Sequence, residues 1–308
     1  MNKILFFLLS VSITISVLIG INRANKPIIP APIQIPVPTP SPSPVPAPPI
    51  IPPKPVPPPQ PKPLPGSMVQ WMKLNKQQNH NTKSPFLNDI VNHLPPFGNQ
   101  YYDSDLPTWG HEGTHGVNAY VRNKFGKVGQ VGFYVGNDQA IILNQPKLTL
   151  KQIADTIPND LRGSRYQLYF VNQLSSWNEW PLYCFDEWVA YTNGAAVGIE
   201  ITDRQHSDLM VGAVEFSIYA LCACVAIDKY DPDYLKTNTQ FKEFVAHELQ
   251  RSIKVYQKGI LFPQYQWDTP LVRNVMNNQA IRNVLQKMYG DSLTLEKLFG
   301  EKTWQESN

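Results

Sequence analysis

A proline-rich tract limits which part of this chain can fold. Residues 27–65 contain 20 prolines in 39 positions, with only Lys54 and Lys62 charged. Proline has no amide hydrogen and a fixed φ, so such a tract forms neither a helix nor a sheet ladder. We predict an extended, polyproline-II-like spacer with an upper reach of roughly 120 Å. A proline-rich ligand for a partner domain is the alternative interpretation.

An apolar segment precedes this spacer. Residues 4–21 carry no charge over 18 positions, and a helix of that length spans about 27 Å, close to the hydrocarbon thickness of a bilayer. The sequence INRANKP that follows has no convincing small-x-small cleavage site. We therefore predict a membrane anchor at 1–26, with secretion after signal cleavage as the alternative. Arg23 and Lys26 roughly balance the charge at the start, so charge does not settle orientation. A long spacer that holds a domain away from a membrane favours export of that domain.

Residues 66–308 remain to form a folded domain. A length of 243 residues with no internal repeat is enough for one domain with a substantial core. The net charge of the chain is only +3, and no lysine- or arginine-rich run indicates nucleic-acid binding. Three cysteines do not make a disulfide framework. Cys222 and Cys224 face different ways on a predicted helix, and Cys184 has apolar neighbours, so all three are predicted to be buried thiols. We expect a monomer.

The hydrophobic pattern predicts a helix-rich α+β fold with one small sheet. Two short apolar runs, 131–135 and 140–144, flank a Gly-Asn-Asp turn and indicate a β-hairpin. Another strand is predicted at 165–173. Helical segments are predicted at 86–93, 107–124, from Thr149, 182–196, 207–228, 238–257 and 270–289.

The helix predicted at 107–124 carries the strongest motif in the chain, HEGTH. His111 and His115 are four residues apart, so both imidazoles project from one face of the helix and can reach one metal ion. Glu112 lies about 100° around the helix, where it can approach a water held by that ion. This is the HExxH arrangement, in which the glutamate acts as general base. A polar surface helix is the alternative interpretation.

Three glycines flank the histidines. Gly110, Gly113 and Gly116 each cost about 1 kcal/mol relative to alanine inside a helix. A solvated helix face gains nothing from that cost, whereas a crowded site needs close backbone packing or room for a substrate. We therefore interpret the glycines as crowding around a site.

A catalytic zinc ion needs a third protein ligand and an open position for water. The extended motif HExxHxxGxxH is excluded, because Asn118 and Val121 stand where it requires glycine and histidine. Glu187, in the apolar helical segment YCFDEWVAYTNGA, is the preferred third ligand, since a lone buried carboxylate is costly unless it is paired or binds a metal. A salt bridge to Arg122 or Arg165 is the alternative.

Several other residues rank lower as ligands. Glu179 and His206 are the fallback candidates for the third position. His247, in HELQR, lacks the second histidine of the motif and is expected to be an ordinary helix residue. Asp186, beside Glu187, is expected to face solvent or to cap its helix.

HEGTH on one helix and DEWVAY on a later one resemble the gluzincin branch of zinc metallopeptidases, and more closely the lethal-factor-like group. The resemblance covers about 30 of 308 residues. It implies a zincin-like domain in which His111, His115 and Glu187 bind zinc and Glu112 activates the bound water. Such enzymes also use a tyrosine or histidine to stabilise the oxyanion. Tyr183, one turn before Glu187 on the same face, is the candidate here.

Two departures from the related enzymes are visible. Seventy-one residues lie between His115 and Glu187, more than in thermolysin-like enzymes. Tyr191, four residues after Glu187, replaces the aspartate that supports a histidine ligand in those enzymes.

These patterns together predict a membrane-anchored, zinc-dependent peptidase. The expected partners are a protein or peptide substrate and, through the N-terminal segment, a membrane. The alternative from a different class is an inactive zincin-like surface or binding protein, held off a membrane by the spacer.

Overall fold

Helices and one small sheet form the described part of the chain. In this computed structural model it comprises residues 70–97, 101–202, 207–262 and 269–300. The predicted anchor at 1–26 and spacer at 27–65 lie outside the described residues. The helix-rich α+β class is confirmed.

The first half of the domain alternates helices and strands. The strands are β1 (Met72–Lys73), β2 (Gln130–Gly136) and β3 (Gln139–Asn144). The helices are α1 (Pro85–Val91), α2 (Leu106–Phe125), α3 (Leu150–Thr156), α4 (Leu174–Trp177) and α5 (Tyr183–Glu200). Two short helical turns, Asn159–Leu161 and Gln167–Asn172, lie between α3 and α4.

The second half is helical. Its helices are α6 (Ser207–Tyr230), α7 (Pro232–Thr237), α8 (Thr239–Gly259), α9 (Thr269–Met276), α10 (Gln279–Tyr289) and α11 (Leu295–Phe299), with a short turn at Gly290–Ser292. Helix α6 packs against both α5 and α8. It is long and apolar enough to cross a membrane, but 89% of that stretch is buried inside the domain. Burial in the hydrophobic core therefore explains why this helix is so apolar. Cys184, Cys222 and Cys224 are free and buried, as predicted.

Helix α2 begins and ends as its sequence predicts. The Asp105 carboxylate accepts a hydrogen bond from the amide of Thr108 at 3.0 Å and so caps the first turn. Pro107 occupies the first turn, where its missing N–H costs nothing. Arg122 and Lys124 lie in the last turn, where positive charge is favourable. Stable ends let the helix tolerate three internal glycines.

The sheet is antiparallel with strand order β1-β3-β2. The hairpin of β2 and β3 is confirmed, and its turn has left-handed backbone at Asn137 and Asp138, with φ of 54° and 59°. Positive φ at both central residues is typical of the tight turn that suits the strand twist. Strand β1 escaped prediction because two residues carry no periodicity.

Two predicted elements were wrong. The segment 165–173 contains a π-helical turn at Gln167–Asn172 in place of a strand. Tyr166, Tyr169 and Phe170 are spaced three and four apart, and the last two are buried among aromatic rings, which favours a helical turn. The single helix predicted at 270–289 is two helices, because Asn278 caps α10 by accepting a hydrogen bond from the amide of Ile281.

Candidate metal centre

The predicted ligands lie where α2 crosses α5. The crossing is close because glycines face each other: a methyl group on Gly110 would lie 3.6 Å from the Cα of Gly194 and 2.9 Å from Val197 Cγ2. A methyl group on Gly194 would lie 2.9 Å from the carbonyl oxygen of Pro107 and 3.1 Å from the Cβ of His111. The lack of side chains at this crossing brings the histidine helix directly onto the helix of Glu187.

Three electron-rich atoms converge at the crossing. Nε2 of His111 lies 3.2 Å from Nε2 of His115. Oε2 of Glu187 lies 3.7 Å from the first nitrogen and 3.5 Å from the second. His111 and Glu187 are both buried, and Oε2 has no hydrogen-bond partner. A buried carboxylate oxygen without a hydrogen bond is costly unless a cation neutralises it.

The dimensions of this triangle suit a zinc ion. Tetrahedral ligands about 2.0–2.1 Å from zinc lie about 3.3 Å from one another. The separations of 3.2, 3.5 and 3.7 Å would place a tetrahedral ion, slightly out of the plane of the three atoms, about 2.1 Å from each. Two imidazoles and one carboxylate are also the donor set of several catalytic zinc sites. The residues present therefore fit the ion that the sequence predicts.

The second carboxylate oxygen of Glu187 is held by Tyr183. The Tyr183 hydroxyl donates a hydrogen bond to Oε1 at 2.6 Å and also lies 2.8 Å from Oε1 of Gln173. The Trp177 ring stacks on Tyr183 at 3.9 Å and fixes its orientation. Burial, and then the negative charge of Glu187, raise the pKa of Tyr183 well above its ordinary value, so it remains a donor. Its predicted role towards an oxyanion stays a prediction.

The expectation for Asp186 was wrong. Oδ2 of Asp186 accepts a hydrogen bond from Nδ1 of His115 at 2.5 Å, and Oδ1 accepts one from Nδ2 of Asn118 at 2.7 Å. Asn118 in turn accepts a hydrogen bond from the amide of Tyr134 in β2. Histidine ligands usually donate the N–H of their second nitrogen to a carboxylate, a backbone carbonyl or water. The need for such an acceptor could have identified Asp186 from the sequence, because Asp186 is a carboxylate directly beside the predicted ligand Glu187.

The two histidines differ in electrostatic environment. Burial lowers the pKa of His111 well below its ordinary value, and the charges of His115 and Arg165 act in the same direction. His111 therefore offers a neutral nitrogen. Burial also tends to lower the pKa of His115, but Glu187 and Asp186 outweigh it and raise that pKa well above its ordinary value. His115 therefore holds a second proton strongly, and an ion at this site would have to displace that proton.

Glu112 follows His111 directly on α2. Its carboxylate has no hydrogen bond or ion pair with any other described residue. Burial raises its pKa above the ordinary value, and the nearby carboxylates of Glu187, Asp186 and Asp103 add to that shift against the opposing effect of His115. An unengaged carboxylate with a raised pKa is suited to accept a proton.

The interpretation of the three glycines is confirmed only in part. Gly110 lies at the crossing beside His111, as described above. Gly113 and Gly116 face the other side of α2, towards α1 and Leu94. A methyl group on Gly116 would lie 2.5 Å from Cδ2 of Leu94, whereas one on Gly113 would make only ordinary contacts at 3.5 Å and beyond. Close packing accounts for both Gly110, against α5, and Gly116, against the side chain of Leu94.

The lower-ranked candidates do not join this cluster where they are described. Glu179 is exposed and bonds to Asn178. His247 packs its ring on Trp71 at 4.9 Å. His206 lies outside the described residues. Among the described residues, the ion pairs of Glu187 are with the two histidines and not with Arg122 or Arg165.

A cluster of Tyr169, Tyr191 and Arg165 lies beside the site and was not predicted from the sequence. The Tyr191 ring lies 4.4 Å from the His111 ring, and the Tyr191 hydroxyl lies 2.9 Å from that of Tyr169. The guanidinium of Arg165 lies 5.0 Å from the Tyr191 centroid and pairs with buried Glu215 at 3.5 Å. These residues come from separate elements, so no spacing in the sequence connects them.

Comparison with protein-family models, characterised proteins and solved structures found no match to this chain. The gluzincin likeness therefore rests on the residues and their geometry alone.

Proposed function

We propose that the domain is a zinc-dependent metallopeptidase of gluzincin type. The observation that carries the proposal is the convergence of His111 Nε2, His115 Nε2 and Glu187 Oε2 within 3.2–3.7 Å of one another. Glu112, the adjacent residue on the histidine helix, supplies the unengaged carboxylate that the HExxH arrangement requires.

The three ligand residues would hold the ion, and hydrogen bonds with neighbouring residues fix the orientation of two of them, His115 and Glu187. Asp186 holds the ring of His115 through Nδ1, so that Nε2 faces the centre. Tyr183 holds Oε1 of Glu187, so that Oε2 faces the same point. Such supporting hydrogen bonds raise ligand basicity and reduce the entropy lost on binding.

Zinc, when bound, lowers the pKa of a coordinated water towards 7 and polarises a substrate carbonyl. Glu112 would accept the proton from the attacking water and later pass it to the departing amine nitrogen. The pKa of Glu112 is raised towards neutral pH, and a base whose pKa is near the working pH can both take up and release a proton efficiently. The hydrogen bond from Tyr183 to Glu187 supports a positioning role for that tyrosine.

The proposal extends to the whole chain through its N-terminal segments. Residues 1–26 would anchor the protein in a membrane, and residues 27–65 would hold the peptidase domain away from it on the exported side. The substrate would then be a protein or peptide outside the cell membrane.

The test uses the full-length protein and three of its variants. We expect His111→Ala and His115→Ala each to lower the bound zinc by one ion per chain. The wild type should hydrolyse fluorescently labelled casein, and Glu112→Gln should keep its zinc while losing that activity. Wild-type zinc content equal to that of the histidine variants would refute the site. A zinc-loaded protein that hydrolyses neither casein nor a peptide library would instead support the inactive binding protein.

A further inference from the structure

We propose a second site for a divalent transition-metal ion, formed by Asp89, His93 and Asp138 where α1 meets the β2–β3 turn. One ligand atom from each of these residues lies within 4.8 Å of the others. None of them belongs to the candidate zinc centre. The inference does not depend on the proposed peptidase function.

His93 is the central residue of this cluster. Its side chain is fully buried, and Nδ1 lies 2.5 Å from the carbonyl oxygen of Asp89, one helical turn earlier. Because a carbonyl only accepts, this contact assigns the proton to Nδ1. In the neutral ring Nε2 then carries a lone pair, and it has no hydrogen-bond partner although it is buried.

The unpartnered nitrogen faces a carboxylate. Nε2 of His93 lies 3.2 Å from Oδ1 of Asp138, but the direction of the nitrogen does not meet the criteria for a hydrogen bond. With a neutral ring, two lone-pair atoms at this separation repel each other unless a cation lies between them. A proton on Nε2 would lie off the line to the oxygen, whereas an ion about 2.1 Å from both atoms fits a separation near 3.2 Å.

Asp89 is the third residue of the cluster, with one ligand atom within 4.8 Å of those of His93 and Asp138. Its Oδ2 accepts hydrogen bonds from the Tyr134 hydroxyl and from the amide of Asn137, both at 2.7 Å. Oδ1 is left facing His93, 4.0 Å from its Nδ1. The neighbouring groups thus hold the carboxylate while one oxygen stays available.

Asp138 lies at a backbone position that glycine would occupy with less strain. Its φ is 59°, and glycine is the residue most often found at the second central position of such a turn. Its side chain is 32% exposed, so water can complete the coordination sphere from this side. The exposed Lys73 lies 4.0 Å from Oδ2, too far and too solvated to neutralise the cluster strongly.

One imidazole with two carboxylates and water favours zinc or manganese over calcium, because calcium prefers oxygen ligands alone. Bound there, the ion would join α1 to the hairpin. Helix α1 is also the element against which Gly113 of the histidine helix packs. The second ion would therefore stabilise the support of α2 without taking part in catalysis.

The experiment counts zinc in chelator-treated full-length protein that carries His111→Ala and His115→Ala. We expect this background to bind one zinc per chain and to gain about 5–10 °C in melting temperature when zinc exceeds its Kd a hundredfold. Adding His93→Gln should abolish both. Adding Asp138→Asn should weaken binding at least tenfold while the fold is kept, because asparagine tolerates left-handed backbone.

A matched control is His247→Gln, which removes a half-buried histidine that packs on Trp71 and should leave the zinc count at one. The proposal fails if the background binds no zinc, if the ion survives both His93→Gln and Asp138→Asn, or if calcium binds in preference to zinc and manganese.

Discussion

Asp186 accepts a hydrogen bond from Nδ1 of His115 at 2.5 Å, so its carboxylate and the proposed ion would act on opposite nitrogens of one ring. The neighbouring carboxylate, Glu187, lies 3.5 Å from Nε2 of the same ring. Two consecutive residues of α5 therefore face His115 from two sides. Asp186 orients the ring, and Glu187 would complete the proposed ligand set.

We expect Asp186→Asn to lower zinc affinity about 10- to 100-fold without changing the number of ions bound. Asparagine keeps the size of the side chain but accepts more weakly, so the ring loses basicity and orientation. Zinc titration against a competing chelator measures the effect. Asp155→Asn, which removes an exposed carboxylate paired with Lys151, should leave the affinity unchanged. Equal affinities in both variants would mean that the Asp186 contact has no influence on the site.

The grouping of His111, His115 and Glu187 could be predicted from the sequence because its rules are local. HExxH fixes two histidines on one helical face, and Glu187 stood out as a carboxylate within an apolar helix. The hairpin turn and the cap of α2 were likewise determined by adjacent residues. Each of these features depends on a few neighbouring positions.

The supporting residues depend on how distant elements pack. The contact of Asn118 with Tyr134 joins α2 to β2, and that of Arg165 with Tyr191 joins a loop to α5. The hydrophobic pattern of the sequence does not indicate that these residues come into contact. The turn at Gln167–Asn172 was misread for a related reason, since its aromatic residues suit a strand by composition but bury themselves through contacts with α6.

A second prediction concerns the glycine crossing. Gly194→Ala would place a methyl group 2.9 Å from the carbonyl oxygen of Pro107 and 3.1 Å from Cβ of His111. Separating the two helices should cost about 1–3 kcal/mol in unfolding free energy and should also weaken zinc binding. Urea denaturation with and without zinc measures both effects.

Gly113→Ala is the matched control on the other face of α2. Its methyl group would meet neighbours no closer than 3.5 Å. Because alanine favours the helix over glycine by about 1 kcal/mol, this variant should be as stable as the wild type or more so. A destabilised Gly113→Ala with a normal Gly194→Ala would contradict the crossing described here.

The third prediction concerns Asn193, which joins three elements. Its Oδ1 accepts a hydrogen bond from Arg251 of α8 at 2.5 Å, and its Nδ2 donates to Thr114 of α2 and to the carbonyl of Tyr134 in β2. Asn193→Ala leaves several buried groups without partners and should cost about 2–3 kcal/mol. Asn283→Ala, at an exposed position, should stay within about 0.5 kcal/mol of the wild type. Urea denaturation of both variants tests this, and similar losses would rule out a special role for Asn193.

The fourth prediction concerns the N-terminal segment. We expect the full-length protein to fractionate with membranes and a fragment of residues 66–308 to be soluble. The apolar stretch of α6 does not need a membrane, because 89% of it is buried in the domain. Full-length protein that is recovered in the soluble fraction with an intact N-terminus would contradict the anchor.

The last prediction separates the two glutamates of the site, Glu112 and Glu187. Glu112→Gln removes a base that makes no hydrogen bond to the described residues, so bound zinc and the melting temperature should stay near wild-type values while hydrolysis falls about 100-fold or more.

Glu187→Gln keeps the bond from Tyr183 but removes the charge that would face the ion. An amide is a far weaker metal ligand than a carboxylate. Zinc affinity should fall steeply in this variant, and so should the rise in melting temperature that zinc produces. Metal content and melting temperature are enough for the comparison, so the substrate need not be known. If Glu187→Gln keeps full zinc affinity, the third ligand lies elsewhere, and His206, which lies outside the described residues, is next to test. If Glu112→Gln is the variant that loses zinc, the helix does not present HEGTH as proposed.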